Sequence, residues 1–222
     1  MERVLAFVIQ QGQFDKFLPR LRGMNAVHRT AALAEVRSAW FLQQLGFQVL
    51  EWEPLANGNR PGDITVRLGD SSQVFVEVKA PTWKGELGRE IAAFPAAKPK
   101  LLERLEGGKY INAEARAVDP VGDVIDIITK NAVPKLADDR PNLVVVADDL
   151  FSSPVGNPFL ESKFQLAFAA DEKMERVGGV LLLDPQGYEG EVTYRCDVVV
   201  NSACLAPCAL PPNVISGLQA AA

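Results

Sequence analysis

The sequence predicts an α/β fold: a mixed central β-sheet flanked by helices. Three observations predict it. Residues 74–79 (Val-Phe-Val-Glu-Val-Lys) alternate in the period of a strand and follow a Gly69-Asp70-Ser71-Ser72 turn, which marks a hairpin. Residues 142–147 (Asn-Leu-Val-Val-Val-Ala) form the unbroken apolar run of a strand buried on both faces. Between Asn25 and Gly46 the apolar residues recur at helical spacing, so helices and strands share one chain and pack in layers.

Residues 1–23 read as one short amphipathic helix, with Phe14, Phe17, Leu18 and Leu21 at helical spacing before Gly23. Asn25 is an N-cap for a second helix running to about Leu45, whose broad stripe is Val27, Ala31, Ala34, Ser38, Phe41, Leu42 and Leu45. Phe47–Trp52 reads as a strand, and residues 57–62 (Asn-Gly-Asn-Arg-Pro-Gly) as a turn-rich loop. The hairpin strands are 63–68 and 73–79. Helical pieces are predicted near 85–93, 99–106 and 122–138, interrupted by Pro95, Pro99, Pro120 and Pro134. The strand at 142–147 is followed by a helix near 157–173 and by strands at 177–183 and 192–200. The 222 residues read as a single domain, 1–222, with a core of about 25–175, an extension by the strands within 177–200, and a Pro/Ala-rich surface tail over 203–222.

Composition narrows the class. With 48% hydrophobic and 23% charged residues the chain is an ordinary globular one, neither disordered nor collagen-like. The formal net charge of −5 provides no global basic field, which weighs against a non-specific nucleic-acid coat but leaves room for an enzyme with a local basic groove. Cys196, Cys204 and Cys208 form neither a C-x-x-C pair nor a set with a nearby histidine, so they read as free thiols of a reducing compartment. The opening residues lack the apolar length and cleavage site of a signal peptide, and no run approaches the ~20 apolar residues of a membrane span. A cytoplasmic location without membrane attachment is expected. No P-loop, dinucleotide-binding glycine signature or Gly-x-Ser-x-Gly elbow is present, so nucleotide hydrolysis, dinucleotide chemistry and serine hydrolysis have no support.

The hairpin carries the chemistry. Alternation puts Val74, Val76 and Val78 on one face and Phe75, Glu77 and Lys79 on the other. Asp63 opens the antiparallel partner strand, so the hairpin folds it back beside Glu77 and Lys79. Two carboxylates offer hard oxygen ligands to Mg²⁺ or Mn²⁺, and an adjacent ammonium can orient a water or offset phosphate charge. Glu35 sits on the small, apolar face of the second helix, among Ala31, Ala32, Ser38, Ala39 and Leu42. An unpaired carboxylate there is unfavourable by several kcal/mol, so it needs a partner, for which a metal site or Lys79 is available. A bland reading competes, in which Glu77 and Lys79 form a surface pair of about 0.2–1 kcal/mol. Glu161-Ser162-Lys163 and Asp171-Glu172-Lys173 show how common the bare triplet is, but both fall on solvated helix faces.

Glu35, then Pro61-Gly62-Asp63, then Glu77-Val78-Lys79, laid on a helix and a hairpin, resembles the PD-(D/E)xK nuclease superfamily and its restriction-endonuclease-like fold. The likeness spans residues 25–80 and extends loosely to the strand at 142–147 and the helix after it; Pro-Gly-Asp departs from the family's Pro-Asp while keeping the turn and the aspartate. The resemblance implies Asp63 and Glu77 as ligands of Mg²⁺ (Mn²⁺ as substitute), with the backbone carbonyl of Val78 contributing. It implies Lys79 as the group that positions or activates the attacking water, and Glu35 as completing the metal site directly or through water. It also implies a metal-dependent nuclease that hydrolyses phosphodiesters, chiefly in DNA, by attack of a metal-activated water, with a homodimer as an analogy. The alternative is a catalytically silent nuclease-fold binding or structural module.

Several basic residues are further expectations. Lys130 and Lys135 precede the buried strand, and in similar nucleases a basic or amide residue from that helix points at the active site; with Pro134 breaking the helix, Lys130 is the one assigned to nucleic-acid contact. Arg60 and Lys84 flank the motif as possible phosphate contacts, and Trp83 is read as a rim aromatic. His28, the sole histidine, reads as a helix-surface residue rather than a general base.

Overall fold

A computed structural model of the chain describes residues 2–23, 25–55, 61–70, 72–81, 119–147, 154–186 and 193–222. The helical pieces expected near 85–93 and 99–106, and residues Arg60, Trp83 and Lys84, lie outside the described residues.

Six strands form one mixed sheet in sequence order: β1 (Phe47–Trp52), β2 (Ile64–Leu68), β3 (Val74–Lys79), β4 (Asn142–Ala147), β5 (Gly179–Gln186) and β6 (Thr193–Val200). The pairings β1–β2, β2–β3 and β5–β6 are antiparallel, whereas β3–β4 and β4–β5 are parallel. The two parallel joints require crossovers long enough to hold helices, and the helices cover both faces. The predicted α/β class, a mixed sheet flanked by helices, is the observed one.

The alternation predicted on β3 divides the core. Val74, Val76 and Val78 pack with Leu143, Val145, Leu181 and Leu183 beneath α1 (Glu2–Gln10), α2 (Phe14–Arg22) and α3 (Ala26–Gln44). Phe75 packs with Val144, Val146, Val180 and Leu182 on the opposite face, under α4 (Pro120–Ile127) and α5 (Leu160–Ala170). The Asn25 side chain accepts hydrogen bonds from the Val27 and His28 amides, capping α3 as expected. Gly46, at φ +88°, turns the chain from α3 into β1, a backbone conformation that favours glycine.

Four expectations are corrected. The single helix over 1–23 is two, because Gly12 at φ +67° reverses the chain between α1 and α2. Both then reach β1, where the Phe7 ring meets Trp52 at a tilt and the Phe17 ring meets it edge-on, with centroids 6.3 and 5.2 Å away. Val27, counted in the apolar stripe of α3, is exposed, since it occupies the helix's first turn, before the stripe meets the sheet. The helix expected through 138 is α-helical only to Ile127; it continues as a π-helical turn (Ile128–Ala132) and one 3₁₀ turn (Val133–Lys135). Residues 203–222 are no surface tail: Cys208, Leu210, Val214 and Leu218 are buried, the last two on α6 (Pro212–Gln219), which closes the layer shared with α3.

Candidate active site

The site forms where β2 begins and β3 ends. The ladder between them runs from Val66↔Val74 to Ile64↔Val76, so Asp63 lies one step past the last pair, level with Glu77. There its side chain replaces the missing ladder partner: Asp63 Oδ2 accepts the Val78 amide at 2.6 Å. Its backbone is held as well, because the Asp63 carbonyl accepts the Glu53 amide at 2.9 Å and the Gly62 amide donates to Pro54 at 2.8 Å. Gly62 is buried against the tip of the Phe75 ring, and a Cβ there would lie 2.6 Å from Phe75 Cε2. The glycine inserted before the aspartate is therefore a steric requirement of this hairpin.

Glu77 is fully buried on a strand flanked by β2 and β4. Its Oε1 accepts from the Lys79 ammonium and, at 2.9 Å, from Lys135. Its Oε2 is buried with no hydrogen-bond partner. A buried acceptor left in that state is unfavourable by roughly 1–3 kcal/mol, which marks the position as one awaiting a partner. Burial, then the charge of Glu77, pushes the Asp63 carboxyl up to about 6, against the pull of Lys79 and the Val78 hydrogen bond. Burial works against the Lys135 ammonium, but the charge and hydrogen bond of Glu77 outweigh it and hold that pKa above its ordinary value.

Glu35 is not left to a metal or to Lys79. Arg20, in the last turn of α2, donates to both its carboxylate oxygens, one at 2.7 Å from Nη1, and the guanidinium lies 5.5 Å over the Phe17 ring. Burial raises the Glu35 pKa, and Arg20 opposes that rise. Asp63 is close enough to act electrostatically on both members of the pair, so they border the same site.

The structure thus brings together Asp63, Glu77, Val78 and Lys79, with Glu35 beside them but already engaged. It does not bring Lys130, which is 67% exposed and pairs with Asp126 one turn earlier on the helix. Lys135 arrives instead. Pro134, which the sequence suggests would cut Lys135 off from the helix, sits inside the 3₁₀ turn that follows the π-helical segment, and that turn carries Lys135 to Glu77. His28 is exposed, as read from the sequence.

Among the described residues, no three His, Cys, Asp or Glu side chains form a metal-holding group. The residues that fit a divalent ion are Asp63 and Glu77: one is a carboxyl whose ionisation burial opposes, the other has an unpartnered buried oxygen, and a cation relieves both. Glu35 does not fit, since Arg20 takes both its oxygens. Among the described residues, the carboxylates of Glu35, Asp63 and Glu77 lie with the cations Arg20, Lys79 and Lys135, and the Glu53–Lys16 pair is nearby.

No helix among the described residues is long and apolar enough to cross a membrane. No family model matches the chain, and no curated protein matches it either. Among solved structures, the chain is similar to Pyrococcus furiosus SfsA in complex with Ca²⁺ at 16% sequence identity and a TM-score of 0.33. The match covers 77% of this chain, which spans 62% of the length of that one.

Proposed function

We propose that the chain is a divalent-metal-dependent nuclease that hydrolyses phosphodiester bonds, with DNA as its principal substrate. The observation that carries this reading is the junction of Asp63, Glu77 and Lys79 at the ends of two paired strands, with the Glu77 Oε2 buried and unpartnered. Asp63 and Glu77 would hold Mg²⁺ or Mn²⁺, joined by the Val78 carbonyl. When bound, such an ion supplies Lewis-acid polarisation of the phosphoryl oxygen and neutralises charge developing in the transition state.

The chain's own groups have separable tasks. Asp63, fixed by the Val78 amide, sets one carboxylate at the edge of the hairpin. Glu77 holds the Lys79 ammonium in place, and Lys79, on the same strand and 14% exposed, orients the attacking water. Arg20 and Glu35 brace α2 against α3 beside the site instead of contributing to ligation.

A second reading is a nuclease-fold module that binds without cutting. The saturation of Glu77 Oε1 by two ammoniums favours it, because a carboxylate already paired in this way has less need of an added cation. Cleavage of plasmid, linear and single-stranded DNA, and of RNA, under Mg²⁺, Mn²⁺ or EDTA decides between them when the protein is compared with Lys79→Ala. Metal-dependent cutting that the variant loses is the expected result. A folded protein that cuts nothing and takes up no Mn²⁺ by calorimetry would overturn the nuclease reading in favour of the module.

A further inference from the structure

We propose that Lys135 is a tethered stand-in for the divalent ion: it holds Glu77 when no metal is bound, and yields its place when metal enters. This rests on the reading that Asp63 and Glu77 take a divalent cation. Glu77 is fully buried, so its carboxylate needs positive charge close by at all times. Two ammoniums share its Oε1, and Oε2 is empty of partners. A cation entering at Oε2 therefore meets two like charges within one carboxylate's width, and one of them must withdraw.

Lys79 is the one that stays. It stands two residues from Glu77 on the same strand and is 14% exposed, with its ammonium confined beside the sheet. Lys135 comes from a separate element, a single 3₁₀ turn after the π-helical segment, and its side chain is 36% exposed. A long, flexible side chain with that access to solvent can carry its ammonium outward at small energetic expense. Lys135 is a positioning residue in this account, acting through Glu77.

Calorimetric titration of the full chain with Mn²⁺, for wild type, Lys135→Met and Lys135→Arg, tests the proposal, together with melting in EDTA and in Mn²⁺. Loss of the competing charge should tighten Mn²⁺ binding about tenfold in Lys135→Met, while Lys135→Arg stays near wild type. The Met variant should also melt at lower temperature than wild type in EDTA and recover in Mn²⁺. A merely structural lysine would weaken metal binding and stability together. Should the Met variant fail to fold in EDTA, its recovery on refolding with Mn²⁺ would support the proposal, and failure to recover would overturn it. Equal or weaker Mn²⁺ affinity in Lys135→Met, with wild type binding normally, would overturn the proposal and leave the metal reading standing. No Mn²⁺ uptake by wild type or variant would overturn both.

Discussion

Asp63→Asn should make the folded protein more stable while abolishing cleavage. The Asp63 carboxyl, ordinarily near 3.8, is pushed up to about 6 by burial and by Glu77. Between those values the folded protein holds a proton that the unfolded chain has released. Stability therefore falls as pH rises through that window, and remains lower above about 6. Two pKa units at 1.36 kcal/mol each set an upper figure of roughly 3 kcal/mol. The asparagine oxygen can accept the same Val78 amide that Asp63 Oδ2 accepts, so that hydrogen bond survives. Residual solvent contact of the half-buried side chain reduces the gain to about 2 kcal/mol, or about 4–8 °C in Tm for a chain of this size. Urea unfolding in EDTA at pH 8 and pH 4 measures it. The variant should exceed wild type at pH 8 and lose that advantage at pH 4, where Asp63 is protonated in the folded state. A variant less stable than wild type at pH 8 would refute the reasoning, since ionised Asp63 would then be a net stabiliser.

Two further outcomes follow from the same geometry. Glu35→Gln should leave Mn²⁺ affinity within about threefold of wild type, because Arg20 already occupies both carboxylate oxygens; a tenfold loss by calorimetry would show that Glu35 leaves Arg20 to join the metal. Deleting residues 209–222 removes the buried Leu210, Val214 and Leu218, at about 1.5–3 kcal/mol each. The shortened chain should therefore lose near-ultraviolet circular dichroism and elute as aggregate, whereas a wild-type melting curve would return the segment to the status of a tail.

The parts readable from the sequence are those fixed by local period. Alternation over 74–79 placed Glu77 and Lys79 on one face, and the hairpin placed Asp63 level with Glu77. Asn25 capped the helix it preceded. What escaped depends on distant packing or on a change of helical phase. Nothing local to Arg20 says that α2 folds back until its guanidinium meets Glu35, fifteen residues on. Pro134 argues in the sequence for Lys130 over Lys135, yet that proline sits within a 3₁₀ turn whose last residue, Lys135, reaches Glu77. The closing helix had a signal that composition obscured: Pro212 suits a first helical position, and Val214 and Leu218 are four residues apart on one face.

The contact between Gly62 and Phe75 links two positions thirteen residues apart through shared volume. The ring on β3 is the surface against which the turn before Asp63 is moulded, so the reach of that carboxylate is set by a side chain with no charge of its own. Bulk can be added at 62 only if it is withdrawn at 75. In a lineage that exchanged them, the two substitutions would have to arrive together, or the smaller side chain at 75 first, with the aspartate as the passenger whose placement selects the order. The Pro-Gly-Asp spelling of this hairpin is thus tied sterically to the phenylalanine beneath it.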